Sequence, residues 1–136
     1  RIRSIALIAL SMFSPEMFTQ FVVPALTEQC QWLDHSMFHL DGTQCIDKLD
    51  ELLAIDALDA VEWTPQAGIE GGGDPRWYDI YRRILAAGKS AQAIGVTVEE
   101  LKPLLDAVGP KGMYIMMCPS SMAEAEKALE IAAAYR

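Results

Sequence analysis

The stretch "SMFHLDGTQCIDKLDELLAI", residues 36–55, decides the fold. Its first five residues are a short run, apolar apart from Ser36 and His39. Asp41 and Gly42 then make a turn, and Ile46, Leu49, Leu52 and Leu53 follow at helical spacing on one face. Strand, turn and amphipathic helix are thus packed into twenty residues. Thr43 is the expected cap of that helix.

The same unit recurs along the chain. "DAVEWT" (59–64) reads as a second strand, and after the loop "PQAGIEGGGDP" (65–75) Asp74 and Pro75 open the helix "RWYDIYRRILAAG", which Gly88 ends. "KSAQAIGV" (89–96) is a third strand, and Thr97 with Glu100 has the capping-box spacing of the helix after it. "GMYIMM" (112–117) is the fourth, followed by an Ala-rich helix capped by Ser120 or Ser121. Upstream, Ser14, Pro15 and Glu16 start a helix expected to reach about Leu33, bent or broken near Pro24. "IALIALSMF" (5–13) reads as buried structure, and the segment 1–10 has no further assignment.

Strands alternating with helices predict an α/β fold with a parallel sheet, built from four βα units in a single domain over residues 1–136. The strands lack clean alternation, as expected of strands buried on both faces. Two architectures fit, an open doubly wound sheet and half of a (β/α)8 barrel. Both place functional groups at the carboxyl ends of the strands.

Composition narrows the classes. Of 136 residues 51% are hydrophobic and 22% charged, and the formal net charge is −8. That balance argues against nucleic acid or an anionic membrane surface as partner. No apolar run approaches the roughly 20 residues that cross a bilayer. Three cysteines, an odd number without CxxC spacing, read as reduced thiols in a cytoplasmic setting. The chain begins at Arg1, which fits processing, trimming or a piece of a longer protein.

The strand ends nominate the chemistry. They carry His39 and Asp41, then Glu62, Trp63 and Gln66, then Gln92 and Gly95, and finally Cys118 before Pro119. His39 and Asp41 are two apart and project to one face of a strand. Histidine, carboxylate and thiolate are the donors that bind zinc. Each residue also has an ordinary structural use: a hydrogen-bonded histidine, an Asp-Gly turn, a small buried cysteine. Cys30 and Cys45, within helices, take that structural reading. The glycine run lacks the Lys-Ser/Thr of a nucleotide loop and reads as a connection, with a lid as its functional alternative. In "WYDIYRR" (77–83) the aromatics are expected inward and the arginines outward, one of them available to an anionic ligand.

At "SPEMFTQFVVPAL", "MFHLDG", "EWTPQAG" and "YRRILAAGKS" the chain resembles the uroporphyrinogen decarboxylase-like superfamily over residues 11–136, in order. Those proteins are (β/α)8 barrels, and the resemblance is to their carboxyl-terminal half. It implies a small-molecule substrate and, first, zinc-dependent methyl transfer between a corrinoid and a thiol, with metal-free decarboxylation of a tetrapyrrole-type substrate or a catalytically inactive half-barrel as the alternatives. On the methyltransferases' ligand pattern His39 falls on the histidine, Asp41 on the first cysteine and Cys118 on the second. Glu62 loosely matches a glutamate of related methionine synthases. Asp41 for a thiolate makes the implied zinc site harder. Asp41 and Glu62 are the implied acid–base residues, with Asp41 and other polar groups at the strand ends steering protonation in the decarboxylase reading. A half-barrel also has open edges, so a homo-oligomer or association with a missing amino-terminal half is expected.

Overall fold

The four apolar runs become β2 (His35–Asp41), β3 (Ala60–Thr64), β4 (Ser90–Ile94) and β5 (Met113–Met116). A computed structural model of the chain describes residues 2–6 and 10–135, with 2–6 and 10 as backbone alone. A further strand, β1 (Ile2–Ala6), pairs with β2, so the expected four strands fall one short. Arg3 and Ser4 interrupt the apolar pattern by which the other strands were recognisable. Residues 7–9 of the run expected to be buried lie outside the described residues; beyond them Met12 is 80% exposed.

All four strand pairings are parallel and the order is β1-β2-β3-β4-β5. The order never reverses, and reversal is what creates the switch point of a doubly wound sheet. Consecutive right-handed crossovers between adjacent strands put their helices on one side of the sheet. Burial follows from that placement. Phe38, Leu40, Val61, Trp63, Ala91 and Ala93 are buried in one core with residues of the helices. The opposite face, carrying His39, Glu62, Tyr114 and Met116, is half-buried or exposed apart from Gln92. β2 and β3 therefore alternate in burial, against the expectation of two buried faces. Met37, Tyr114 and Met116 are apolar residues on the open face, and they mask the alternation in the sequence.

The helical side is punctuated largely as its caps predict. Ser14 accepts from Met17 N at the start of α1 (Pro15–Met17). The bend expected at Pro24 is a widened π-helical turn, Phe18–Val22, ahead of α2 (Val23–Trp32). That turn absorbs the missing N–H of the proline. After β2 comes a 3₁₀ segment, Thr43–Lys48, then α3 (Leu49–Leu53). Its cap is Gly42, at φ +81°, rather than Thr43. Asp74 caps the turn Pro75–Trp77 into α4 (Tyr78–Ala86), whose Trp77 packs on Trp63 with ring centroids 5.0 Å apart. The Thr97–Glu100 capping box opens α5 (Val98–Val108), and Ser121 caps α6 (Met122–Ala133). Among the described residues no helix is long and apolar enough to cross a membrane.

The glycine run is a tight fit against β4. Gly72 N donates to Ile94 O at 2.8 Å, and the Tyr81 hydroxyl donates to Gly72 O at 2.7 Å. A Cβ on Gly72 would lie 2.5 Å from Ile94 O and 2.9 Å from Ile94 N. Gly72→Ala is therefore expected to cost about 2–3 kcal/mol in urea unfolding. Gly68→Ala, at φ +88° with open space around it, should cost only about 1 kcal/mol. Equal costs at the two positions would show that the loop is not held by this contact.

Candidate active site on the open sheet face

Register lines up the polar side chains. His39 pairs with Glu62, Glu62 with Gln92 and Gln92 with Tyr114, so one row crosses the open face of β2 to β5. Asp41 and Thr64 pair two residues further toward the carboxyl ends.

Within this row His39 and Glu62 are bonded. His39 Nδ1 lies 2.5 Å from Glu62 Oε1, which also accepts from the Thr64 hydroxyl at 3.2 Å. An ionised carboxylate only accepts, so the proton of the neutral imidazole sits on Nδ1. The lone pair is then on Nε2, whose nearest carboxylate oxygen is Asp41 Oδ2 at 3.9 Å. That is too long for a hydrogen bond and leaves room for a proton-bearing group to approach. Glu62 is 12% exposed, His39 29% and Asp41 64%, a gradient from an anchored carboxylate to a solvated one. Such a Glu–His pair can hold a base in one orientation and stabilise it when it takes a proton.

Gln92 closes the row on the β4 side. It is 6% exposed, its Nε2 leans on Met116 Sδ at 3.8 Å, and its Oε1 has no partner. Gln66, by contrast, is spent on structure: its Oε1 accepts from Thr43 N and its Nε2 donates to Thr43 Oγ1, both at 2.9 Å. It ties the turn after β2 to the loop after β3.

The residues nominated from sequence divide accordingly. His39, Asp41 and Glu62 come together; Cys118 does not join them. It is exposed beyond β5, in a recess of about 150 Å³ with Gly95, Thr97 and Glu124. β5 is three strands from β2, roughly 14 Å at ~4.8 Å per step. Among the described residues no group of three or more His, Cys, Asp or Glu side chains could hold a metal ion. His39 Nε2 and Asp41 supply two donors where structural zinc takes four and catalytic zinc at least three from protein. These residues alone do not fit a zinc site.

Cys30 and Cys45 are buried, as their structural reading requires. Burial, the largest influence, pushes the Cys45 thiol up, against the pull of Lys48. Arg82 donates to Ala107 O and Arg83 pairs with Asp50 at 2.6 Å, so both arginines are engaged within the chain. The glycine loop is strapped to β4 through Gly72 rather than free as a lid. Thr64, Tyr114 and Met116 were missed. The Glu-x-Thr spacing on β3 could have found Thr64, since residues two apart on a strand share a face.

No protein-family model, curated protein or solved structure matches the chain.

If Glu62 fixes the tautomer, Glu62→Ala should move His39 from Nδ1–H toward the Nε2–H form that free imidazole side chains favour. Long-range ¹H–¹⁵N correlation spectra at mildly alkaline pH read this directly. The same tautomer in both proteins would show that Glu62 does not orient the ring.

Proposed function

We propose that the chain is the carboxyl-terminal half of a (β/α)8 enzyme of the uroporphyrinogen decarboxylase-like type, and that His39 and Glu62 move a proton on a small-molecule substrate at the open sheet face. The observation that carries the reading is the 2.5 Å His39–Glu62 contact on an uncovered face near the strand carboxyl ends. The unreversed strand order and single covered face suit a barrel segment, whose inner face is the open one here. The unmatched edges β1 and β5 call for a second half or a second copy of the chain.

In metal-free decarboxylation the substrate's carbon–carboxylate bond breaks, carbon dioxide leaves, and the electron pair stays on carbon. A protonated His39 Nε2 delivers the proton to that carbon, and Glu62 holds the ring in place throughout. Asp41, 3.9 Å from Nε2, steers the proton between the ring and solvent. General acid–base catalysis of this kind contributes about 10²–10⁴-fold.

A second reading, zinc-dependent methyl transfer from a corrinoid to a thiol, has one feature in its favour. A carboxylate behind an imidazole is the arrangement that orients metal-ligating histidines. His39 Nε2 and Asp41 would be the zinc's two ligands from this chain, and the remaining donors would have to come from the other half.

Two measurements separate the readings. Carbon dioxide release from a panel of carboxylated substrates should fall by about 10²–10⁴-fold in His39→Ala; an unchanged rate overturns the proton-transfer role. Zinc near one per chain after chelator-free purification, lost in His39→Ala, would favour a metal site and so the second reading. Light scattering should show self-association at micromolar concentration, and a clean monomer would count against completion of the barrel by a second copy.

A further inference from the structure

The open face beside the dyad has a chemical preference, and reading it rests on the active-site assignment above. Its charges are one-sided. Along β2 to β5 the open-face positions include Asp41 and Glu62 but no lysine or arginine. Register places Ile2, Ser4 and Ala6 of β1 in line with His35, Met37 and His39. Lys48, the nearest lysine along the chain, is buried and bonded to Asp47 at 2.7 Å.

The hydrogen-bonding capacity left over is also one-sided. Glu62 uses Oε1 for His39 and Thr64, and among the described residues its Oε2 has no bond. Gln92, buried next to it in the row, has an unpartnered carbonyl oxygen. A buried acceptor without a donor costs about 1–3 kcal/mol, so a ligand that brings a donor recovers it. Flanking these acceptors are the ring of Tyr114, 60% exposed, and the thioether of Met116, 43% exposed. An aromatic face and a polarisable sulfur favour a cation and its alkyl carbons.

We infer that this face binds an alkylammonium group, with Glu62 Oε2 and Gln92 Oε1 accepting its N–H donors, Asp41 adding charge, and Tyr114 with Met116 covering its carbons. A carboxylate in the same position would meet two carboxylates and no lysine or arginine. The substrate of the dyad therefore presents an amine to β3, β4 and β5, and its reacting atom to His39.

The test is a pair of matched probes, butylammonium chloride and sodium butyrate, titrated into the ¹⁵N-labelled full chain at constant ionic strength. Butylammonium should shift the Gln92 side-chain amide and the backbone amides of His39, Glu62 and Gln92 along a saturating curve. Butyrate should leave them in place. Gln92→Leu and Glu62→Gln should each weaken butylammonium at least about fivefold. Asp106→Asn, at an exposed position of α5, should leave the affinity unchanged. Spectra of the variants confirm folding, and if Gln92→Leu fails to fold, Glu62→Gln carries the same comparison. The inference is overturned if neither probe shifts these resonances, if butyrate does so equally, or if both variants bind as the parent does. Failure here with the His39 tautomer still governed by Glu62 would remove the ligand class and leave the dyad standing.

Discussion

Strand order is the constraint on which the rest of the molecule depends. Because each strand lies beside its sequence neighbour and all run parallel, the connecting helices gather on one side of the sheet. Phe38, Leu40, Val61 and Trp63 are sealed there, while the other side has no helical layer among the described residues. Had both faces been covered, the His39–Glu62 pair would have to be buried with its remaining polar atoms unmatched, at a cost of several kcal/mol. The uncovered face is what makes a polar row on a parallel sheet tolerable.

The two ends of the sheet are built differently. At the amino ends the polar groups are consumed in joining elements. Lys89 donates to Ile55 O and Leu58 O at 2.7 and 2.8 Å, and Ser36 N donates to Asp59 Oδ2 at 2.7 Å. Burial pulls the Lys89 ammonium below its ordinary pKa, although Asp56 and Asp59 oppose the shift. Towards the carboxyl ends some ties also exist, such as Gln66 to Thr43 and Gly72 to Ile94, but they leave His39 Nε2 and Gln92 Oε1 unoccupied. Spare capacity near the carboxyl ends of parallel strands is the usual mark of the functional side.

Local signals in the sequence were legible where chemistry is local. The capping box at Thr97, the Asp74–Pro75 start, the Gly88 stop and the strand cores all depend on neighbours within a turn, and each appears where it was expected. What failed was non-local. β1 was missed because its polar residues hide the pattern and only the β2 edge makes it a strand. Thr43 looked like a cap until Gln66, twenty-three residues on, supplied the bond that its N–H needed. His39 and Glu62 were nominated separately at two strand ends, and their pairing depends on a register that no single segment encodes. Cys118 shares the strand-end logic yet is separated from His39 by the width of the sheet.

That register makes the site a matter of parity. Successive residues of β3 alternate between core and open face, Val61 and Trp63 inward, Glu62 and Thr64 outward. A one-residue insertion or deletion within β3 would exchange those roles for every residue beyond it. A carboxylate would then face the tryptophan-lined core, and after a deletion an indole would replace it beside His39. Length changes are therefore tolerable only in the connections between strands, such as the stretch around Gly68. Within the strands the reading frame of the fold is as strict as that of the gene.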